Sequence, residues 1–174
     1  MGLFRRGLTA SQKGELSDIS EGLNAVMEAW DGHYRAMRGE IEALYAAAAS
    51  AQQRGLSSIP AGVSQLDRDN ARESLVRFRA AILELRASFV DRTFVRAVSG
   101  DDEVVPDWVS TKFRKKYDDA LGFKFGQLDR LDLPLEALSD PNPLQDSPGS
   151  FKLNMFVSGM NLFSHYSYPV RFKP

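Results

Sequence analysis

Few residues in this chain have both the type and the spacing for chemistry. Asp31-Gly32-His33 offers two metal ligands with no third beside them, so His33 reads as a polar or partly exposed residue of a helical repeat. Ser164-His165 sets a nucleophile next to its own base, and on a strand adjacent side chains point to opposite faces. Asp101-Asp102-Glu103 and Asp118-Asp119 are adjacent carboxylates, whereas acid–base work needs a cleft that drives two pKa values apart. Asp67-Arg68-Asp69-Asn70 opens like a calcium loop but lacks its glycine and closing glutamate. No glycine spacing matches a P-loop or a dinucleotide fingerprint, and neither histidine stands three residues after a glutamate. With no cysteine, thiolate sites and disulfides are excluded. The expectation is a protein that is not an enzyme and takes no cofactor or metal.

Binding chemistry is better represented. Lys112, Lys115 and Lys116 share a short segment with Phe113 and Tyr117, a combination that can hold nucleic acid or an acidic protein. The 22 basic and 23 acidic side chains nearly cancel, so no global field favours nucleic acid or anionic lipid. Further basic residues mark the two ends: Arg5, Arg6 and Lys13, then Lys152, Arg171 and Lys173. Near the C-terminus Tyr166, Tyr168, Val170 and Phe172 form an apolar row that suits a docking anchor.

The elements that must position these groups follow from the periodicity. Leu16, Ile19, Leu23, Val26, Trp30, Met37, Ile41, Leu44, Ala48 and Ala51 step by three and four, which predicts a helix capped at Thr9 or Ser11 and running to about Arg54. Glycine at Trp30-Asp31-Gly32 predicts a bend there. Gly55 to Gly62 reads as an interhelical loop. Leu75, Phe78, Ile82, Leu85 and Phe89 then predict a second helix over about 67–98. Both seams are double width, by Met27, Tyr34 and Ile41 on the first and Val76, Leu83 and Val90 on the second. Faces this wide need a third partner, either the C-terminal half or another subunit.

Seven of the eight prolines and eleven of the eighteen aromatic residues lie after position 105, so the second half reads as looser, mixed structure. A short helix with Pro106 and Asp107 in its first turn should stop at Leu121-Gly122. Residues 123–150 read as irregular, apart from one turn at Phe125-Leu128-Leu131. From Phe151 the apolar residues alternate, and the phase changes across Ser158-Gly159, as a β-hairpin would write it. The competing reading is a helix on Leu153, Phe156, Val157, Met160 and Phe163.

Trp30-Asp31-Gly32 resembles the Trp-x-Gly of the small helical-hairpin proteins exported by type VII secretion, which carry it in the turn between two helices. Here the motif lies inside a continuing heptad pattern. Four residues after Tyr45 and Tyr117 stand Ala49 and Leu121, where that family has an acid. An exported helical hairpin is therefore an alternative, not the assignment.

The fold class expected is mainly α: a basic tail (1–10), a long antiparallel, coiled-coil-like helical hairpin (11–100), a short third helix with a proline-rich connector (101–150), and a C-terminal β-hairpin or extended arm (151–174). The function expected is structural, a subunit that oligomerises or docks through helical faces and the C-terminal arm, with Trp30 as a seam anchor. Connector and adaptor subunits of bacterial viruses have this anatomy by shape. The alternative is a regulatory adaptor that binds protein or nucleic acid through the 112–116 helix. The longest apolar run, Ala43 to Ala49, is too short to span a membrane, and no signal peptide is written, so a cytoplasmic or assembly-bound location is expected.

Overall fold

The computed structural model describes residues 7–56, 64–92, 108–139, 151–164 and 167–174. Helix α1 (Ala10–Gln53) starts at Thr9, whose hydroxyl accepts from Gln12 N while the Gln12 side chain accepts from Thr9 N. It is continuous α-helix through Trp30-Asp31-Gly32, where the glycine predicts a bend. At its far end Gly55 takes a left-handed φ of 66°. Gly55 N then donates to Gln52 O and Leu56 N to Ala51 O, each at 3.0 Å, closing the helix in a Schellman turn. Helix α2 (Gln65–Arg92) is capped by Ser64, whose hydroxyl accepts from Asp67 N while Asp67 accepts from Ser64 N. The loop at 57–63 and the predicted stretch of helix beyond 92 lie outside the described residues.

The two helices form the antiparallel hairpin that the heptads predict. All ten seam residues of α1 are buried, as are Leu75, Phe78, Ile82 and Phe89 of α2. At roughly 1.5–3 kcal/mol for each large apolar side chain, this seam outweighs the glycine costs within α1.

The second half departs from the sequence reading. Helix α3 (Thr111–Ala120) begins later than expected, because the Ser110 hydroxyl accepts from Phe113 N and caps it. Pro106 and Asp107, placed in its first turn by the sequence, lie outside the described residues. The helix does not stop at Leu121-Gly122. It widens into a π-helical turn (Leu121–Phe125), closed by Gly126 N donating to Leu121 O five residues back at 2.9 Å. A 3₁₀ turn (Leu128–Leu131), close to the turn expected at Phe125-Leu128-Leu131, and a short helix α4 (Asp132–Ala137) follow. Most of 121–137 is therefore helical rather than irregular, while 140–150 lie outside the described residues. Pro134 fits inside α4 because the first-turn N–H groups have no intrahelical partner to lose.

The β-hairpin expected at 151–174 is not formed. Phe151–Ser164 is helix α5, with Leu153, Phe156, Val157, Met160 and Phe163 buried, which is the competing pattern. Gly159 does not turn the chain; it lets α5 press on α4. A Cβ there would stand 2.6 Å from Pro134 Cδ and 3.1 Å from Leu133 Cβ. Among the described residues no strand is present.

Helix α5 and the residues after it run antiparallel along α1. Gln52 donates to Asn154 at 2.8 Å, and the Tyr45 hydroxyl donates to Asn161. Further along, Asn24 clasps Phe172 by both backbone groups, at 3.0 and 2.8 Å. The C-terminal half is therefore the third partner that covers the wide face of α1. Met27 and Ile41 are buried, and Tyr34 is packed against the core.

Candidate functional site

Trp30 is where four segments meet. Its ring stacks on Tyr34 at 5.5 Å, meets Phe78 of α2 edge-on at 5.9 Å and lies 6.2 Å from Phe163 of α5. Its indole N–H donates to the Lys124 carbonyl oxygen at 2.9 Å. The Lys124 ammonium folds back over the same indole, 4.0 Å from the ring centroid, and 5.3 Å from the Tyr168 ring. It reaches Asp31 Oδ1 at 3.3 Å. Trp30 is thus the packing anchor that the heptad position implies.

Lys124 is only 1% exposed. Burial pushes its ammonium below the ordinary lysine range, and the Asp31 carboxylate partly restores it. Burial, reinforced by Asp119, raises the Tyr168 phenol. An amine so shielded is a poor nucleophile for an incoming molecule. It ties the π-helical turn to α1 through the Asp31 ion pair and the Trp30 ring face, and to the C-terminal residues through the Tyr168 ring. Sequence reasoning passed over Lys124, whose one signal is a basic residue isolated between Phe123 and Phe125.

The proposed docking arm is divided by the structure. Val170 and Phe172 lie inside the chain's own core, with Phe172 among Phe89, Phe113 and the Lys116 ammonium. Their apolar surface is consumed within the molecule, which corrects their reading as anchors for a partner. Tyr168 is 43% exposed and caps the Lys124 site. Tyr166 lies outside the described residues.

The basic helix is also divided. Lys112 and Lys116 line a groove of about 230 Å³ with Ser110, Phe113, Leu16, Lys173 and Pro174. Lys115 is exposed and does not line it. Three lysines, two from α3 and one from the tail, thereby converge on one concavity with an apolar floor.

The outer face of α2 stands in contrast to α1. Val76 and Leu83, which widen its seam, are 46% and 50% exposed. Ala80 and Ala87 are exposed on the same face, and Arg72, Arg79 and Arg86 run along one flank at heptad spacing. On the other flank Arg77 is neutralised by Glu40 at 2.7 Å and Glu73 at 2.8 Å. Glu40 is held below its ordinary pKa by the Ser74 hydroxyl and then Arg77, against the opposing effect of burial.

Among the described residues, no three His, Asp or Glu side chains cluster as a metal site, and no helix is long and apolar enough to cross a membrane. No family model, curated protein or solved structure matches the chain.

Proposed function

We propose that this protein is a non-enzymatic assembly subunit that docks a partner helix along the outer face of α2. The carrying observation is the asymmetry of the two widened seams. The C-terminal half covers the face of α1 that holds Met27, Tyr34 and Ile41, while Val76 and Leu83 remain open to solvent one heptad apart. Apolar residues repeated at heptad spacing on an exposed helix suit helix-on-helix association. The docking role first read into the C-terminal arm passes to this face, because Val170 and Phe172 are already buried. Replacing Val76 and Leu83 together by glutamate tests the reading. The double variant should keep the melting curve of the parent and lose binding of labelled amphipathic helical peptides, measured by fluorescence anisotropy. Unchanged binding would refute the docking face.

A second reading is favoured by the groove between α3 and the tail. Lys112, Lys116 and Lys173 around it suit an adaptor that takes an acidic ligand, protein or nucleic acid. That reading keeps the basic helix as the contact but moves it from Lys115 to Lys173.

A further inference from the structure

We infer that the partner of the α2 face is an amphipathic helix carrying acidic residues at heptad spacing beside its apolar seam; this rests on the docking role proposed for that face. The apolar stripe is Val76, Ala80, Leu83 and Ala87, all exposed. Arg72, Arg79 and Arg86 follow one edge of it, about 10.5 Å apart at 1.5 Å per residue. Arg79, the middle rung, is held in place by Asp132 of α4 at 2.6 Å, with its side chain 35% exposed. Arg72 and Arg86 are exposed on either side of it.

The opposite edge does not share this excess. Arg77 there is matched by Glu40 and Glu73, and Glu84 adds a further acid. The net positive charge of the face therefore lies on one edge, at Arg72 and Arg86 on either side of the Arg79–Asp132 pair, and a partner helix is selected by what it presents on that edge. A glutamate or aspartate every seventh residue meets Arg72 and Arg86 directly and shares Arg79 with Asp132, in the way that flanking charges set partner choice in coiled coils. A second copy packed antiparallel about a two-fold axis would set this arginine row against itself. Ala80 lowers the surface between Val76 and Leu83, and Ala87 lowers it beyond Leu83, leaving room there for larger apolar side chains of the incoming helix.

The test uses two synthetic helical peptides with the same leucine seam, one with glutamate and one with lysine at the flanking heptad positions. They are titrated against the full chain by anisotropy, with light scattering on the chain alone. The glutamate peptide should bind at least about fivefold more tightly at low salt, with the preference shrinking as salt rises. Arg72→Glu with Arg86→Glu should reverse the preference; both sites are exposed, and glutamate keeps helix propensity. Equal affinities that nonetheless vanish in the Val76→Glu, Leu83→Glu variant would overturn the acidic partner and leave the docking face standing. Failure of both peptides, with concentration-dependent self-association lost in that variant, would overturn it in favour of a second copy. Binding of either peptide that ignores Val76 and Leu83 would overturn the docking face itself.

Discussion

Lys124 holds Trp30 from two directions at once: its carbonyl oxygen accepts the indole N–H at 2.9 Å, and its ammonium lies 4.0 Å from the indole centroid. The two residues are 94 positions apart, so this double contact joins the middle of α1 to the π-helical turn after α3. The carbonyl contact satisfies a buried donor, and the ammonium face adds a contact that strengthens where water is excluded. Trp30→Phe keeps the ring and removes the donor, and should cost about 1–3 kcal/mol by leaving the carbonyl unpaired. Trp30→Ala should cost about 3–5 kcal/mol in chemical denaturation. Equal losses for the two would show that the hydrogen bond, not the packing, carries the site.

The same lysine makes stability depend on pH. Burial lowers its pKa from the ordinary 10.5, so between the folded value and 10.5 the unfolded chain binds a proton that the folded chain has released. Stability therefore rises with pH across that window. Tyr168 acts in the opposite sense, since its phenol is raised and its contribution falls as pH passes 10.0. Lys124→Met keeps the apolar stem and removes the charge. The wild-type Tm should gain on that of Lys124→Met as pH is raised from 7 towards 10. A constant gap would show that Lys124 titrates as it does in water.

Phe172 tests whether the C-terminal residues belong to the monomer. Asn24 donates to its carbonyl and accepts from its N–H, so a single side chain replaces two backbone partners. Asn24→Ala strands both groups and should cost about 1–3 kcal/mol. Phe172→Ala should cost about 3–5 kcal/mol, since the ring is buried among Phe89 and Phe113. Removing residues 167–174 should lower the Tm of the helices themselves. An unshifted melting curve would return the tail to the status of a free arm.

The hairpin was legible in the sequence because each long helix buries one stripe, and a buried stripe leaves a period. Thr9 and Gly55 were legible for a local reason, since capping chemistry acts within a few residues. Helix α5 was not, because it is apolar on most of its surface. Phe151, Leu153, Met155 and Val157 fit a period of two, while Leu153, Phe156, Val157, Met160 and Phe163 fit a helix equally well. Gly159 tipped the reading towards a turn, although its role is to admit Pro134. Lys124 was illegible because its partners, Trp30 and Asp31, come from the far end of the chain. Of the interaction residues, Val170 and Phe172 were read as surface anchors, and only tertiary packing shows them buried.

Glycines offer a paired test of that point. Gly39 of α1 has open space where a Cβ would go, so Gly39→Ala should stabilise by about 0.5–1 kcal/mol through helix propensity. Gly159→Ala gains the same propensity but places a carbon 2.6 Å from Pro134 Cδ, on a ring fixed to the backbone. Overpacking of this kind costs about 1–3 kcal/mol, so the net effect should be destabilising. Opposite signs in thermal melts are expected. Stabilisation by both would mean that α5 does not press on α4.

The groove between α3 and the tail makes the last prediction, because its lysines distinguish a ligand site from a solvated face. Lys112, Lys116 and Lys173 surround about 230 Å³ floored by Leu16 and Phe113, whose burial leaves little ring surface for stacking. Affinity for an acidic ligand must then come from charge. For single-stranded DNA, neutralising three phosphates gives a slope of about −2 in log affinity against log salt, from about −0.7 per contact. Changing one of the three lysines to glutamine should weaken binding and flatten that slope by about 0.7. Lys115→Gln should change neither quantity beyond a small field effect, since Lys115 is exposed and does not line the groove. Binding measured by anisotropy with a short fluorescent oligonucleotide, and repeated with an acidic peptide, reads both quantities. If Lys115→Gln weakens binding as much as Lys116→Gln, the groove selects nothing, and the helix binds only as a diffuse positive surface.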